Sequence, residues 1–195
     1  MTQLVEDLLL LARHDARAAE MAMEPVDPEI LLSRVCEELR GVAEAKHIRI
    51  RQTSFADRGA LITGNHAALR RLFLVLLDNA IKYSHTGSEV IVGIGHLNAE
   101  VVVTVEDFGI GISQTDRPHI FKRFYQADKA RSDSGFGLGL SLADSIVKAH
   151  GAAIEVRSEE GRGTKFRVIF GERQPATRYD SLAAVGPAGP DSCQS

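Results

Sequence analysis

Apolar residues recur along the chain with two different periods, and the switches between them divide it into elements. Over residues 2–20, Leu4, Leu8 and Leu11 repeat on one side with Val5, Leu9 and Ala12 beside them, which predicts a helix with a wide apolar face. That face suits either packing on the helix's own domain or membership of a helical bundle. "MEPVDP" then breaks the pattern. Asp27 is a suitable N-cap and Pro28 a suitable first residue of a second helix, running to about Ala45. Its buried stripe is Ile30, Leu31, Val35, Leu39 and Val42. A third, strongly apolar helix covers about 65–84 through Leu69, Leu72, Phe73, Leu76, Leu77 and Ala80. A fourth runs over about 139–150 and stops at Gly151, which suits the residue just past a C-cap.

Between the helices lie β-rich runs at 48–52, 60–64, 89–95, 100–107, 153–157 and 164–170. The links joining 89–95 to 100–107 and 153–157 to 164–170 are too short for parallel crossovers, so these neighbours must pair antiparallel. The predicted fold class is therefore α+β, a two-layer α/β sandwich with helices on one face of a mixed, mostly antiparallel sheet. Residues 108–138 have little periodicity, and an uncommitted loop of that length inside a domain suggests a functional lid. The expected organisation is an N-terminal helical piece at 1–22, one domain at 26–171, and a disordered Pro-, Gly- and Ser-rich tail at 172–195.

Composition narrows the function classes. A net charge of −3 gives no reason to expect nucleic acid or an anionic membrane as partner, and 6% aromatic residues without Trp leave little for stacking on bases. No run approaches the ~18 apolar residues that span a bilayer. The first apolar stretch begins with Glu6 and Asp7 and lacks a basic leader, unlike a signal peptide. Cys36 and Cys193 are too distant to suggest a disulfide framework, which points to a reducing, cytoplasmic setting without membrane insertion by this chain.

Four polar clusters interrupt the scaffold. In "LLDNAIKYS", Asn79, Lys82 and Tyr83 share one helix face, a set that suits a hard metal ion beside a phosphate or, equally, a solvated helix edge. In "DFGIGI", Asp107 ends an apolar strand where a carboxylate can accept from an exocyclic amine, and Gly109 and Gly111 allow a flat ring to approach. Asp-Phe-Gly also resembles the magnesium motif of Ser/Thr/Tyr protein kinases, but no His-Arg-Asp loop or Val-Ala-x-Lys strand accompanies it. In "GFGLGLSL", Gly135, Gly137 and Gly139 alternate ahead of a helix, with Leu138 and Leu140 interleaved. That spacing matches neither a Walker loop nor a dinucleotide fingerprint, yet open amides at a helix N-terminus favour an anion. "GRGTKF", with Gly161, Gly163 and Thr164, reads alone as a hairpin turn.

As an ordered set these segments resemble the catalytic, ATP-binding domain of bacterial sensor histidine kinases, in the superfamily shared with gyrase B and MutL. "LLDNAIKYS" resembles the N box, "DFGIGI" the G1 box, "IFKRFYQ" at 120–126 the F box, "GFGLGLSL" the G2 box and "GRGTKF" the last glycine box. The resemblance covers roughly residues 26–170. It implies ATP and Mg²⁺ bound between helices under a mobile lid. Asn79 would hold the metal, and Lys82 and Tyr83 would contact phosphate or lid. Asp107 would read the adenine amino group, with Gly109, Gly111 and Thr164 beside the base. Gly135, Gly137 and Gly139, with Leu138 and Leu140, would cradle the phosphates, and Arg123 would reach phosphate or acceptor during transfer. Lys82 and Arg123 are the expected catalytic residues.

Hydrolytic members of the superfamily carry a Glu four residues before the metal-binding Asn, and histidine kinases often carry Asn there. This chain has Val75, which cannot act as a base and favours phosphoryl transfer over hydrolysis. The acceptor pattern of the family, His-Glu-x-Arg-Thr-Pro, is matched only partly by His14 in "HDARAA", which lacks the Thr and Pro. The flanking "LVEDLLLLARHDA" resembles instead the end of the second helix of the dimerisation hairpin. The remaining histidines, among them His119 and His150, fit structural or solvated positions. The resemblance thus implies an acceptor His on a dimerisation domain or on a split-kinase partner, with a response regulator downstream. An anti-sigma-factor Ser kinase and a non-catalytic nucleotide-binding module stand as alternatives.

Overall fold

The computed structural model describes residues 22–55, 60–98, 100–127, 137–171 and 177–179. The expected helix at 2–20, with His14, and Gly135 lie outside them. Three α-helices, α1 (Pro28–Ala45), α2 (His66–Tyr83) and α3 (Gly139–Ala149), alternate with strands β1 (Glu24–Val26), β2 (Arg49–Phe55), β3 (Ile62–Gly64), β4 (Glu89–Leu97), β5 (Glu100–Asp107), β6 (Ala153–Glu159), β7 (Gly163–Phe170) and β8 (Thr177–Tyr179). The main sheet has the order β2-β4-β5-β7-β6-β8, and β1 pairs with β3 in a separate ribbon. Its central pairs, β4 with β5, β5 with β7 and β7 with β6, are antiparallel, while β2 with β4 and β6 with β8 are parallel. The α+β sandwich with a mixed, mostly antiparallel sheet is therefore present as expected.

The first two helices form where the pattern places them because their N-termini are chemically marked. The Asp27 side chain accepts from the amides of Glu29 and Ile30, with Pro28 at the first helical position, so α1 starts as the sequence indicates. Asn65 caps α2 by accepting from the Ala68 amide. The C-terminal end of α2 is closed from outside. Lys46, just past α1, donates to the carbonyls of Ile81 at 3.1 Å and Ser84 at 3.3 Å, and also to that of Lys82. One ammonium thus serves several of the carbonyls that a helix leaves unpaired at this end. On the sheet side, α2 buries Leu69, Leu72, Phe73, Leu76, Leu77 and Ile81 almost completely. It is the central helix, packed between α1 and α3.

Two short strands differ from the sequence reading. Glu24–Val26 was expected as a break, and Pro25 explains why its pattern is weak; a short ribbon strand tolerates the missing N–H donor. Thr177–Tyr179 falls in the stretch expected to be a disordered tail, yet it pairs in parallel with β6 from Ile154↔Thr177 to Val156↔Tyr179. Backbone pairing to an open sheet edge requires no apolar signal, so composition alone could not reveal it. The β4–β5 link is also tighter than expected. His96 and Leu97 continue the ladder opposite Val101 and Glu100, and Asn98 turns the chain with φ 59°.

His150 joins α3 to the start of α2. Its Nδ1 donates to the Ile146 carbonyl at 2.7 Å, and its Nε2 accepts from the Asn65 amide at 3.0 Å. That pair of bonds requires the neutral ring, and burial holds its pKa below the usual 6.5. A lowered histidine pKa means that the stabilisation is present above pH 6.5 and declines as the pH falls below it, because the unfolded chain takes up the proton first. Urea unfolding of the wild type against His150→Gln should show a stability advantage of about 1 kcal/mol at pH 7.5 that shrinks by pH 5.5. A difference that stays constant with pH would contradict this role.

Candidate functional site

A cavity of about 510 Å³ opens along the edge of α2 that faces away from the sheet core. Helical spacing puts Val75, Asn79 and Lys82 on this edge one turn apart, and Tyr83 follows at the last turn. The opposite wall comes from the ends of β5 and β7, which contribute Asp107 and Thr164, and from the loop after β5, which contributes Gly111. Gly137, Leu138, Gly139 and Leu140 close the third side at the start of α3. Side chains from four separated stretches of sequence therefore meet around one space.

At one end Asp107 is buried, only 5% exposed, directly opposite Thr164 in the β5–β7 ladder. Burial pushes its carboxyl up to about 6, opposed by hydrogen bonds from the backbone amides of Gly109 and Thr164. The Gly109 amide reaches Oδ1 at 3.0 Å. Beside it, the Ser158 hydroxyl donates to the Gly163 carbonyl at 2.9 Å and accepts from the Ile112 amide at 2.8 Å. The Thr164 hydroxyl, 3.0 Å from Ser158 Oγ, is then the donor of that pair and keeps its lone pairs for a ligand. Gly109 itself does not line the cavity. A Cβ there would lie 1.9 Å from the Tyr83 carbonyl, so this glycine makes room for the end of α2 rather than for a ring. The neighbouring Ile110 amide donates to that same carbonyl at 3.1 Å.

The other end is shaped by the N-terminus of α3. Leu138 is the N-cap and makes no side-chain cap bond, so the first amides of the helix carry no such partner. Those amides and the helix dipole favour an anion. Gly139 starts the helix against α2, where a Cβ would come within 3.3 Å of Val75 Cγ1 and 3.9 Å of Asn79 Nδ2. A side chain here would fill the cradle between the two helices. Gly137 adopts φ +67° and packs on the F-box segment, its carbonyl accepting from the Phe124 amide at 3.0 Å. Lys82 lies with its ammonium 5.1 Å from the Tyr83 ring centroid, a cation–π arrangement on the cavity wall. Arg123 is exposed and does not line the cavity.

The structure adds residues that the motifs did not single out. Arg71 and Asp78 extend the polar stripe of α2, and Ile110, Ile112 and Phe166 form an apolar wall near Asp107. Tyr125 also lines the cavity, with its hydroxyl donating to Asp116 at 2.6 Å. The signal for Arg71 and Asp78 was available in the spacing, since positions 71, 75, 78 and 82 repeat on one helix face. Ser158 carried none, because its role depends on a register visible only once β6 and β7 pair.

Comparison with known proteins agrees with this fold. The family model described as "Histidine kinase-, DNA gyrase B-, and HSP90-like ATPase" matches residues 64–174. The signal transduction histidine-protein kinase ArlS of Staphylococcus aureus is 33% identical over 174 residues, covering 86% of this chain and 37% of that protein. The chain thus spans little more than a third of the curated relative's length. Full-length ShkA, solved in complex with AMPPNP, superposes with a TM-score of 0.76 at 32% identity, covering 86% of this chain and 35% of that one. The mycobacterial sensor histidine kinase MprB superposes at 0.66 with 27% identity over 78% of this chain and 99% of its own. With the family model spanning more than half of the chain, the chain belongs to the histidine kinase-, DNA gyrase B- and HSP90-like ATPase family.

Proposed function

We propose that this domain binds Mg-ATP and transfers the γ-phosphoryl group to a histidine on a dimerisation domain or separate partner protein, in two-component signalling in the cytoplasm. A response regulator would take the phosphoryl group onward. The observation that carries the reading is the pairing of a buried carboxylate, Asp107, at one end of the cavity with a helix N-terminus lacking a side-chain cap, at Gly139, beside Asn79 at the other. The first suits an amine-bearing base and the second a chain of phosphates.

Each residue then has a task. Asp107 accepts from the adenine amino group, and Thr164 offers a second polar contact. The apolar wall and Gly111 take the ring. The α3 amides at Gly139 and Leu140 receive phosphate oxygens, with Gly135 and Gly137 in the closing loop, and Lys82 supplies counter-charge beside Tyr83. Asn79 presents an amide oxygen, a hard donor of the kind Mg²⁺ accepts while keeping water and phosphate ligands. When bound, the metal neutralises charge on the phosphates. Arg123, exposed in the F box and outside the cavity lining, is assigned to act from the lid during transfer. Val75 offers no base to activate water, so the nucleophile must come from the acceptor and positioning carries the catalysis.

Transfer from γ-labelled ATP to a hairpin protein carrying a His-Glu-x-Arg-Thr-Pro segment should give acid-labile label, lost in Asn79→Ala. Acid-stable phosphoserine would favour the Ser-kinase alternative, and tight ATP binding without any label would favour a binding module.

The titration of Asp107 gives an independent check. Its folded value near 6 lies above the ordinary 3.8, and a donated amine hydrogen bond favours the ionised form. Affinity for adenosine, which has no phosphate to titrate, should therefore fall as the pH drops through about 6. Asp107→Asn should weaken adenosine about tenfold or more at pH 7.5 and flatten the profile. Calorimetry across pH 5–8 reads both; a flat wild-type profile would contradict the assignment. The same raised value makes the ionised carboxylate a cost to the empty protein above pH 6, so stability owed to this group is present below 3.8 and lost as the pH rises through 6.

A further inference from the structure

The cavity does not end at the phosphate cradle. The base end is fixed at the C-terminus of α2, where Ile110 bonds the Tyr83 carbonyl and Ser84 bridges Gly109. The cradle is fixed at Asn79 and Val75, where Gly139 approaches. Continuing in the same direction along α2, the next lining residues are Leu74 and Arg71, with Glu38 and Leu39 of α1 also on this part of the wall. A rise of 1.5 Å per residue places Arg71 about 6 Å beyond Val75 and about 12 Å beyond Asn79. Helical side chains lean toward the N-terminus, which carries the Arg71 side chain further toward this end.

The chemistry changes along that line. Val75 presents methyl groups where it meets α3, so that turn of the helix offers no hydrogen bond to a phosphate. Among the described lining residues the cationic side chains are Lys82, one turn past Asn79, and Arg71, two turns before it; Arg123 is outside the lining. Asp78 lies within electrostatic reach of both Arg71 and Lys82, so the stripe alternates cation, carboxylate, cation. A guanidinium at this place matches the oxygens of a terminal phosphoryl group, which it can bind in bidentate fashion.

We propose that Arg71 binds the terminal phosphoryl group of the nucleotide, a task that the Val75 methyl groups cannot perform. The proposal rests on the Mg-ATP reading above and adds the residue that distinguishes triphosphate from diphosphate. Arg71 then holds the group that is to be transferred while the acceptor approaches from the open end of the cavity.

The test is the ratio of affinities for Mg-ATP and Mg-ADP, measured by calorimetry on the full chain for the wild type, Arg71→Gln and Arg71→Lys. Arg71→Gln should weaken Mg-ATP about ten- to hundredfold while leaving Mg-ADP within about twofold, because ADP lacks the group that Arg71 meets. Arg71→Lys keeps the charge without the fork and should restore part of the ATP preference. Equal weakening of both nucleotides, or no change in either, would overturn the proposal by showing that Arg71 serves only the helix surface. Failure of the wild type to bind either nucleotide would overturn the ATP reading itself, a result separate from a changed ratio. Thermal unfolding of each variant in the absence of nucleotide identifies any that lost the fold, and the ratio in the folded Lys variant then decides.

Discussion

The hydrogen bond from the Ile110 amide to the Tyr83 carbonyl sets the scale of the whole site. It fastens the last turn of α2 to the first turn after β5, so the distance between Asn79 and Asp107 becomes a property of the sheet-on-helix packing. Several other choices follow from it. Gly109 must be glycine because a Cβ would collide with that carbonyl, and Asp107 is forced into the interior at the strand end. Lys46 reinforces the same turn by closing the carbonyls of Ile81, Lys82 and Ser84 from α1. The join is local, but through α2 it carries the registration of Asn79, Lys82 and Arg71.

The site is therefore built from packed pieces on two sides and the start of α3 on the third. α2 and the β5–β7 pair are packed into the core, where Leu72, Phe73, Leu76 and Val105 are nearly inaccessible. The third side is tied to the segment around Phe124, whose amide bonds the Gly137 carbonyl. Fixed elements of this kind suit the recognition part of a binding site. Asp107 shows what such recognition costs: burial raises its pKa to about 6, and hydrogen bonds from Gly109 and Thr164 only partly offset that.

Much of this was legible in the sequence, for identifiable reasons. α1 carried a capping signal at Asp27 and α3 a terminating Gly151, and the strand pairs were joined by links too short for any other pairing. The clusters containing Asn79, Asp107 and Gly139 could be named because each stands at an element boundary, where polar residues interrupt an apolar run. What the sequence hid depends on contacts across the fold. Gly109 reads as space for a ligand until α2 is seen to occupy that space. Ser158 has no motif, and its hydroxyl matters only because β6 lies beside β7. The strand at Thr177–Tyr179 has no apolar alternation, being held by backbone pairing to β6.

The central claim is that one end of the cavity reads an adenine amino group through Asp107 and the other holds phosphates at the start of α3. Competition of ATP and GTP against a fluorescent ATP analogue tests it most directly. The two differ at the base, where GTP would turn a carbonyl oxygen toward the Asp107 carboxylate and leave a buried acceptor facing an acceptor. The account predicts that ATP displaces the probe and that GTP does so about a hundredfold less well or not at all. Equal displacement by the two nucleotides would contradict it.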